Sequence, residues 1–175
     1  MALRRFCSAV VLAGCMLGAS ISSGFSAKDS VVTTSGLPLP RYVSLKSDHV
    51  NVRAGPTKDN DVAWVFTRSG LPVEITAEFE NWRRVRDSEG AEGWVYHSLL
   101  SGRRTAVITM KTRDELAPLY DRADQTSAVS ARLQAGVVAQ VKRCAAGWCR
   151  VTGNGFDGWI EQQRLWGVYA DEKVE

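Results

Sequence analysis

The chain has 175 residues, 45% of them hydrophobic and 23% charged, which suits one ordinary domain or two very small ones and excludes a disordered chain. Its formal charge of +3 comes from 22 Lys and Arg against 19 Asp and Glu. Residues 1–27 hold Arg4 and Arg5 and no acid, so the remainder carries 20 against 19, or +1, and charge gives no argument for nucleic-acid binding.

Arg4 and Arg5 precede the apolar run "FCSAVVLAGCMLGA" and the small residues "SISSGFSA". That is the layout of a secretory signal peptide over residues 1–27. The run is shorter than a membrane span, and no later stretch is long enough, so no transmembrane segment is expected after cleavage. "LAGC", ending at Cys15, resembles a lipoprotein signal in which Cys15 is lipidated. The segment after it, "MLGASISSGF", is still apolar where a lipoprotein continues with a polar tether, which favours ordinary cleavage near Ser26 or Ala27. Both readings predict an exported protein.

Residues 28–40, "KDSVVTTSGLPLP", read as a linker. Short β-rich segments then follow one another: "RYVSLK", "VNVR", "VAWVF", "LPVEITAEF", "WRRVR" and "EGWVYHSLL". Turn residues separate most of them, and no helical periodicity of useful length appears before residue 111. A single helical turn is expected near His97–Leu100, and Asp114 and Glu115 offer the one other helix start. The fold class is therefore all-β, a small barrel or sandwich.

The pattern recurs. Gly70 matches Gly136, Trp82 matches Trp148 and Gly93-Trp94 matches Gly158-Trp159, which points to an internal duplication. Residues 41–102 form the first repeat, 103–168 the second, and 169–175 a C-terminal tail. The centre of "RRTAVITM" is expected to be a strand. The second copy is degenerate early on, with Leu119 near the place of Val52 and Tyr120 near that of Arg53. Trp94 and Trp159 are expected in the core.

Cys144 and Cys149 are the only cysteines after the signal, and a close, even pair in an exported protein predicts a disulfide. "QVKRCAAGWCRVT" reads as strand, turn, strand, which sets the two cysteines opposite each other with Cα atoms roughly 4.5 Å apart. Glu78 and Arg83 stand at about these places in the first copy. The two histidines, His49 and His97, sit in no metal-ligand spacing, so no metal or cofactor is expected. No nucleophile elbow, Walker loop or zinc-protease motif is present, and no catalytic residue is assigned.

Arg84 and Arg86 alternate on one face of "WRRVR". With Arg83 they form either a salt-bridged face against Glu78, Glu80 and Glu92 or a docking surface for acidic polymer, the first being favoured. Trp64 lies in a segment apolar on both faces, so it serves either a plain core role or a groove or the interface between the repeats. Arg53 closes the strand "VNVR" before a long polar loop. It serves either as a donor to nearby carbonyls or as a carboxylate anchor. Arg53, Trp64, Trp82 and Tyr96 are the candidate ligand-binding residues, one charge with aromatic surfaces.

"VNVRAGP", a Gly-initiated strand and "NWRRVR…GWVYHSLL" together resemble the bacterial SH3-like domains of exported Gram-negative proteins. The resemblance covers 41–102 well and 105–167 more weakly. It implies two tandem small, strongly bent β-barrels after a cleaved signal peptide, in a periplasmic or secreted protein. It also implies a non-enzymatic binding role toward peptidoglycan, as muropeptide or glycan, or alternatively a scaffold for an envelope protein such as a cell-wall hydrolase. The loop after Arg53 corresponds to the irregular loop bordering the ligand groove of that fold. There Gly55 is expected to supply an unusual backbone conformation, and Pro56 to end strand pairing.

Overall fold

The computed structural model describes residues 33–110, 112 and 115–175. The expected signal peptide, Cys15, the start of the linker and Asp114 lie outside the described residues.

The first repeat contains β1 (Arg41–Leu45), β2 (Val50–Arg53), β3 (Val62–Phe66), β4 (Pro72–Phe79), β5 (Trp82–Arg86), β6 (Glu92–Tyr96) and β7 (Leu100–Ser101). The second contains β8 (Thr105–Ile108), β9 (Ala117–Tyr120), β10 (Val129–Leu133), β11 (Val138–Ala145), β12 (Trp148–Gly153), β13 (Phe156–Glu161) and β14 (Leu165–Trp166). The two seven-stranded sheets run β3-β2-β6-β5-β4-β1-β7 and β10-β9-β13-β12-β11-β8-β14. Adding seven to each strand of the first order gives the second, so the duplication seen in the landmarks extends to the topology. Among the described residues the helical content is two single 3₁₀ turns, His97–Leu99 and Gln162–Arg164, at matching places.

Each repeat buries its own core through period-two alternation. Val52, Val85 and Val95 are fully buried in the first, and Leu119, Val151 and Ile160 take their places in the second. Gly93 and Gly158 lie on the same inward face, where β2 and β9 cross closely. A Cβ on Gly93 would stand 2.4 Å from Val52 Cγ1. One on Gly158 would stand 2.8 Å from both Leu119 Cγ and the Tyr120 carbonyl oxygen. The tryptophans that follow must therefore point the other way. Trp94 and Trp159 are half-buried and outside both cores, contrary to the expected core role.

Cys144 and Cys149 form the predicted disulfide, with Cα atoms 4.1 Å apart, across a two-residue turn in which Ala146 and Gly147 have φ of +51° and +78°. Cys144 directs its backbone N–H and C=O not to Cys149 but to Val174, at 2.9 and 3.2 Å. That leaves the cysteines as a non-hydrogen-bonded pair, the geometry a cross-strand bridge needs. The register partners at the same point of the first repeat are Glu78 and Arg83, joined by an ion pair of 3.1 Å.

The repeats meet through aromatic rings and the chain's C-terminal residues. Tyr42 packs edge-on to Trp166 and against Tyr169, with ring centroids 5.1 and 4.6 Å apart. The Tyr169 hydroxyl donates to Glu74 Oε1 at 2.8 Å, and Arg104 of the second repeat holds the C-terminal segment in place by pairing with Glu172 at 2.6 Å. Burial and the Glu74 carboxylate together raise Tyr42 to about 12, and the same two influences raise Tyr169.

Candidate binding faces

Strand register decides which candidate residues share a surface. Arg53 on β2 lies opposite Trp94 on β6, and Trp94 lies opposite Arg84 on β5. Trp82 lies opposite Tyr96 in the same strand pair. Alternation puts Arg53, Trp82, Arg84, Trp94 and Tyr96 on the outward face, because Val52, Val85 and Val95 between them point inward. Trp64 is different. It is the register partner of the inward Val52, and its ring packs on the core and against Phe66. The structure thus brings three of the four candidates together, sets Trp64 apart, and adds Trp94.

Arg53 is half-buried and donates from Nη1 to the Asn60 carbonyl oxygen at 2.6 Å. It braces the polar loop that follows β2, the carbonyl-binding role of the two expected. Gly55 does not supply the expected unusual backbone conformation, since its φ is not positive, and it leaves room for the Asn60 side-chain amide. A Cβ there would stand 2.5 Å from Asn60 Oδ1.

The arginines of β5 are paired. Arg83 is buried against Glu78, Arg84 meets Glu92 at 2.6 Å, and Arg86 donates from Nε to Glu74 at 3.0 Å. This is the favoured salt-bridged arrangement with one change, since Glu74 pairs in place of Glu80, which offers Arg83 only its backbone carbonyl oxygen at 2.8 Å.

Trp82 and Tyr96 form an edge-to-face pair, centroids 5.4 Å apart and planes at 81°. Trp148 makes an almost identical pair, at 5.6 Å and 82°, but its partner is Tyr120. The residue across from Trp148 is Glu161, so the tyrosine that comes from β6 in the first repeat comes from β9 in the second. An aromatic pair is kept in each repeat while its donor strand changes. Trp82 is 8% exposed, so its ring offers little surface.

Trp148 is half-buried and lines an open cleft of about 740 Å³. Its walls are the loop around Asp124 and Gln125, the end of β13 at Glu161 with the 3₁₀ turn that starts at Gln162, and the C-terminal residues Val168 and Asp171. The Arg164 guanidinium, 2.6 Å from Glu161, holds that carboxyl below its usual range against the upward push of burial. Gln125 also donates to Glu161. The Thr126 backbone N–H, and then its hydroxyl, lower Asp124 likewise. Gln162 donates to the carbonyls of Tyr169 and Glu172, while its Oε1 is buried with no partner. The cleft therefore joins one aromatic face to ionised carboxylates, a set that accepts hydrogen bonds from hydroxyl and amino groups. Sequence reading missed this cleft, because Trp148 was visible only as a repeat landmark and the C-terminal wall carries no motif. Among the described residues, no group of three or more His, Cys, Asp or Glu is placed to hold a metal.

The bacterial SH3 domain family model matches residues 46–102 and again 113–167. No curated protein matches the chain. Among solved structures, NlpC2 from Trichomonas vaginalis is similar at 15% identity and a TM-score of 0.33, over 73% of this chain and 48% of that one. NlpC1 from the same organism is similar at 17% identity and a TM-score of 0.32, over 72% and 45%. This chain spans about half the length of either.

Proposed function

This chain belongs to the bacterial SH3 domain family, and from that premise we propose that it is a non-catalytic binding module of the cell envelope that holds peptidoglycan. The cleft over Trp148 is the observation that carries the reading. A half-buried indole face suits the C–H faces of a sugar ring. The ionised Glu161 and Asp124 beside it suit the hydroxyl, amide and amino groups of a glycan or its peptide stem. The disulfide next to Trp148 fixes the hairpin that presents the ring. The outward face with Arg53, Trp94 and Tyr96 is the corresponding surface of the first repeat, and its aromatic pair is the more deeply covered one.

Export through the N-terminal segment, with residence in the periplasm or outside the cell, is part of the same reading. The test is co-sedimentation of the purified protein with isolated peptidoglycan. Trp148→Ala is expected to reduce the sedimented fraction several-fold while far-UV circular dichroism and the melting temperature stay near those of the parent. Absence of the unaltered protein from the pellet would refute wall binding and leave the adaptor role. Release of soluble fragments from the pellet would refute the non-catalytic assignment.

A further inference from the structure

The junction between the repeats carries a surface of another kind. Two adjoining hollows, of about 530 and 430 Å³, open there and share Arg68 and Val138. Arg132 lines the first and Arg103 the second, and among the described residues neither hollow is lined by an aspartate or a glutamate. Among the described residues none of these three arginines pairs with a carboxylate, although arginines elsewhere in both repeats do.

Arg68 crosses from the first repeat to donate to the Gly136 carbonyl oxygen at 3.0 Å, which holds its guanidinium over the second. The Arg103 guanidinium lies beside Gly70, where a Cβ would be 3.7 Å from its Nη2. Thr105, 5% exposed, forms part of the same hollow, and its hydroxyl is buried without a hydrogen-bond partner. The first hollow is otherwise largely apolar, with the exposed Leu116 and the half-buried Val137 and Phe156. Arg132 and Leu133 belong to β10, the outermost strand of its sheet, so one edge of that strand has no strand partner.

We infer that this groove docks an extended acidic segment of a partner protein. The segment runs beside the free edge of β10, sets carboxylates on Arg103, Arg68 and Arg132, and lays alternate apolar side chains against Leu116 and Phe156. Three guanidinium groups with no carboxylate partner among the described residues favour an anion, and the planar fork of arginine matches a carboxylate. The apolar wall and the open strand edge favour a peptide over a free anion, which uses neither. This site is separate from the Trp148 cleft, and no lining residue is common to the two.

The experiment is fluorescence anisotropy of the full protein with a short labelled peptide of alternating Asp and Val, beside its Asn and Val counterpart. Arg103 and Arg132 make no side-chain hydrogen bond among the described residues, so R103Q/R132Q is expected to melt with the parent. The acidic peptide is expected to bind, to weaken as salt rises, and to lose about tenfold or more in affinity in R103Q/R132Q. Co-sedimentation with peptidoglycan is expected to be unchanged in that variant. Equal binding of the two peptides would overturn the proposal, and that comparison needs no variant at all. Full displacement by inorganic phosphate at constant ionic strength would overturn it too, by showing a general anion sink. Loss of peptidoglycan binding in R103Q/R132Q would overturn it by making the groove part of the wall site.

Discussion

Glu78→Gln tests how the first repeat holds the hairpin that the second repeat cross-links. The Glu78 side chain is 1% exposed and receives Ser35 N at 2.9 Å, Ser35 Oγ at 2.7 Å, Arg41 Nη2 at 2.6 Å and Arg83 Nε at 3.1 Å. Burial pushes its carboxyl up, but the hydrogen bonds from Ser35 and Arg41 outweigh that and bring it from 4.5 down to about 2. A shift of that size corresponds to about 3 kcal/mol, and screening near the barrel's edge trims it to about 2–3 kcal/mol. The folded-state value lies below the unfolded one. The contribution is therefore complete above pH 4.5 and is lost as the pH falls toward 2. Urea denaturation followed by tryptophan fluorescence measures it in the parent and the variant. The parent is expected to exceed Glu78→Gln by about 2–3 kcal/mol at pH 7 and by about 1 kcal/mol at pH 3. A stability gap that does not change between those pH values would refute the reasoning, since the loss would then not involve the charge.

Three further outcomes follow from the packing. Replacing Cys144 and Cys149 with alanine removes a bridge over a short loop and is expected to cost about 2 kcal/mol, read as a lower denaturant midpoint with the second repeat unfolding first. Gly158→Ala and Gly93→Ala are expected to destabilise by about 1–3 kcal/mol. Gly158→Ala should be the worse, because the immovable backbone carbonyl is closer there, 2.8 Å against 3.1 Å at Gly93, and Gly102→Ala, with nothing within 4 Å, serves as a near-neutral control in thermal melts. Tyr169→Phe removes the donor to Glu74, itself 4% exposed, and is expected to cost about 1–3 kcal/mol and to reduce the cooperativity between the repeats in calorimetry.

The strands were legible because each short apolar alternation ends at a residue that breaks it, as Val50 and Val52 do before Gly55-Pro56. The duplication was legible because Gly93-Trp94 and Gly158-Trp159 keep one spacing. Side-chain direction was less so. Trp94 looked like core by size, yet the inward Gly93 and Val95 on either side oblige it to face out. Trp64 sits where both faces are apolar, and only its pairing with Val52 shows which side it takes. The Tyr120–Trp148 contact had no local signal, since its two members lie on β9 and β12 and meet only in the closed barrel. The C-terminal residues read as a tail because Val174 joins the fold through backbone hydrogen bonds to Cys144, which leave no mark on side-chain pattern. The cleft over Trp148 depends on that segment, so it was hidden with it.

The contact of Tyr42 with Trp166 and Tyr169 has a consequence for any polymeric ligand. Two modules on a slack tether sample many separations, and the second binding event is governed by the reach of the tether. Here no slack separates the repeats, because Gly136 in the middle of the second repeat and Trp166 and Tyr169 at its C-terminal side are packed or bonded to the first. On the proposed wall-binding reading, with a site on each repeat, a polymer that offers its recognised groups at the one separation this body presents gains avidity from the second contact. A polymer of another spacing gains none, however many copies of the group it carries. Periodicity, and not only chemistry, then becomes something the protein can select.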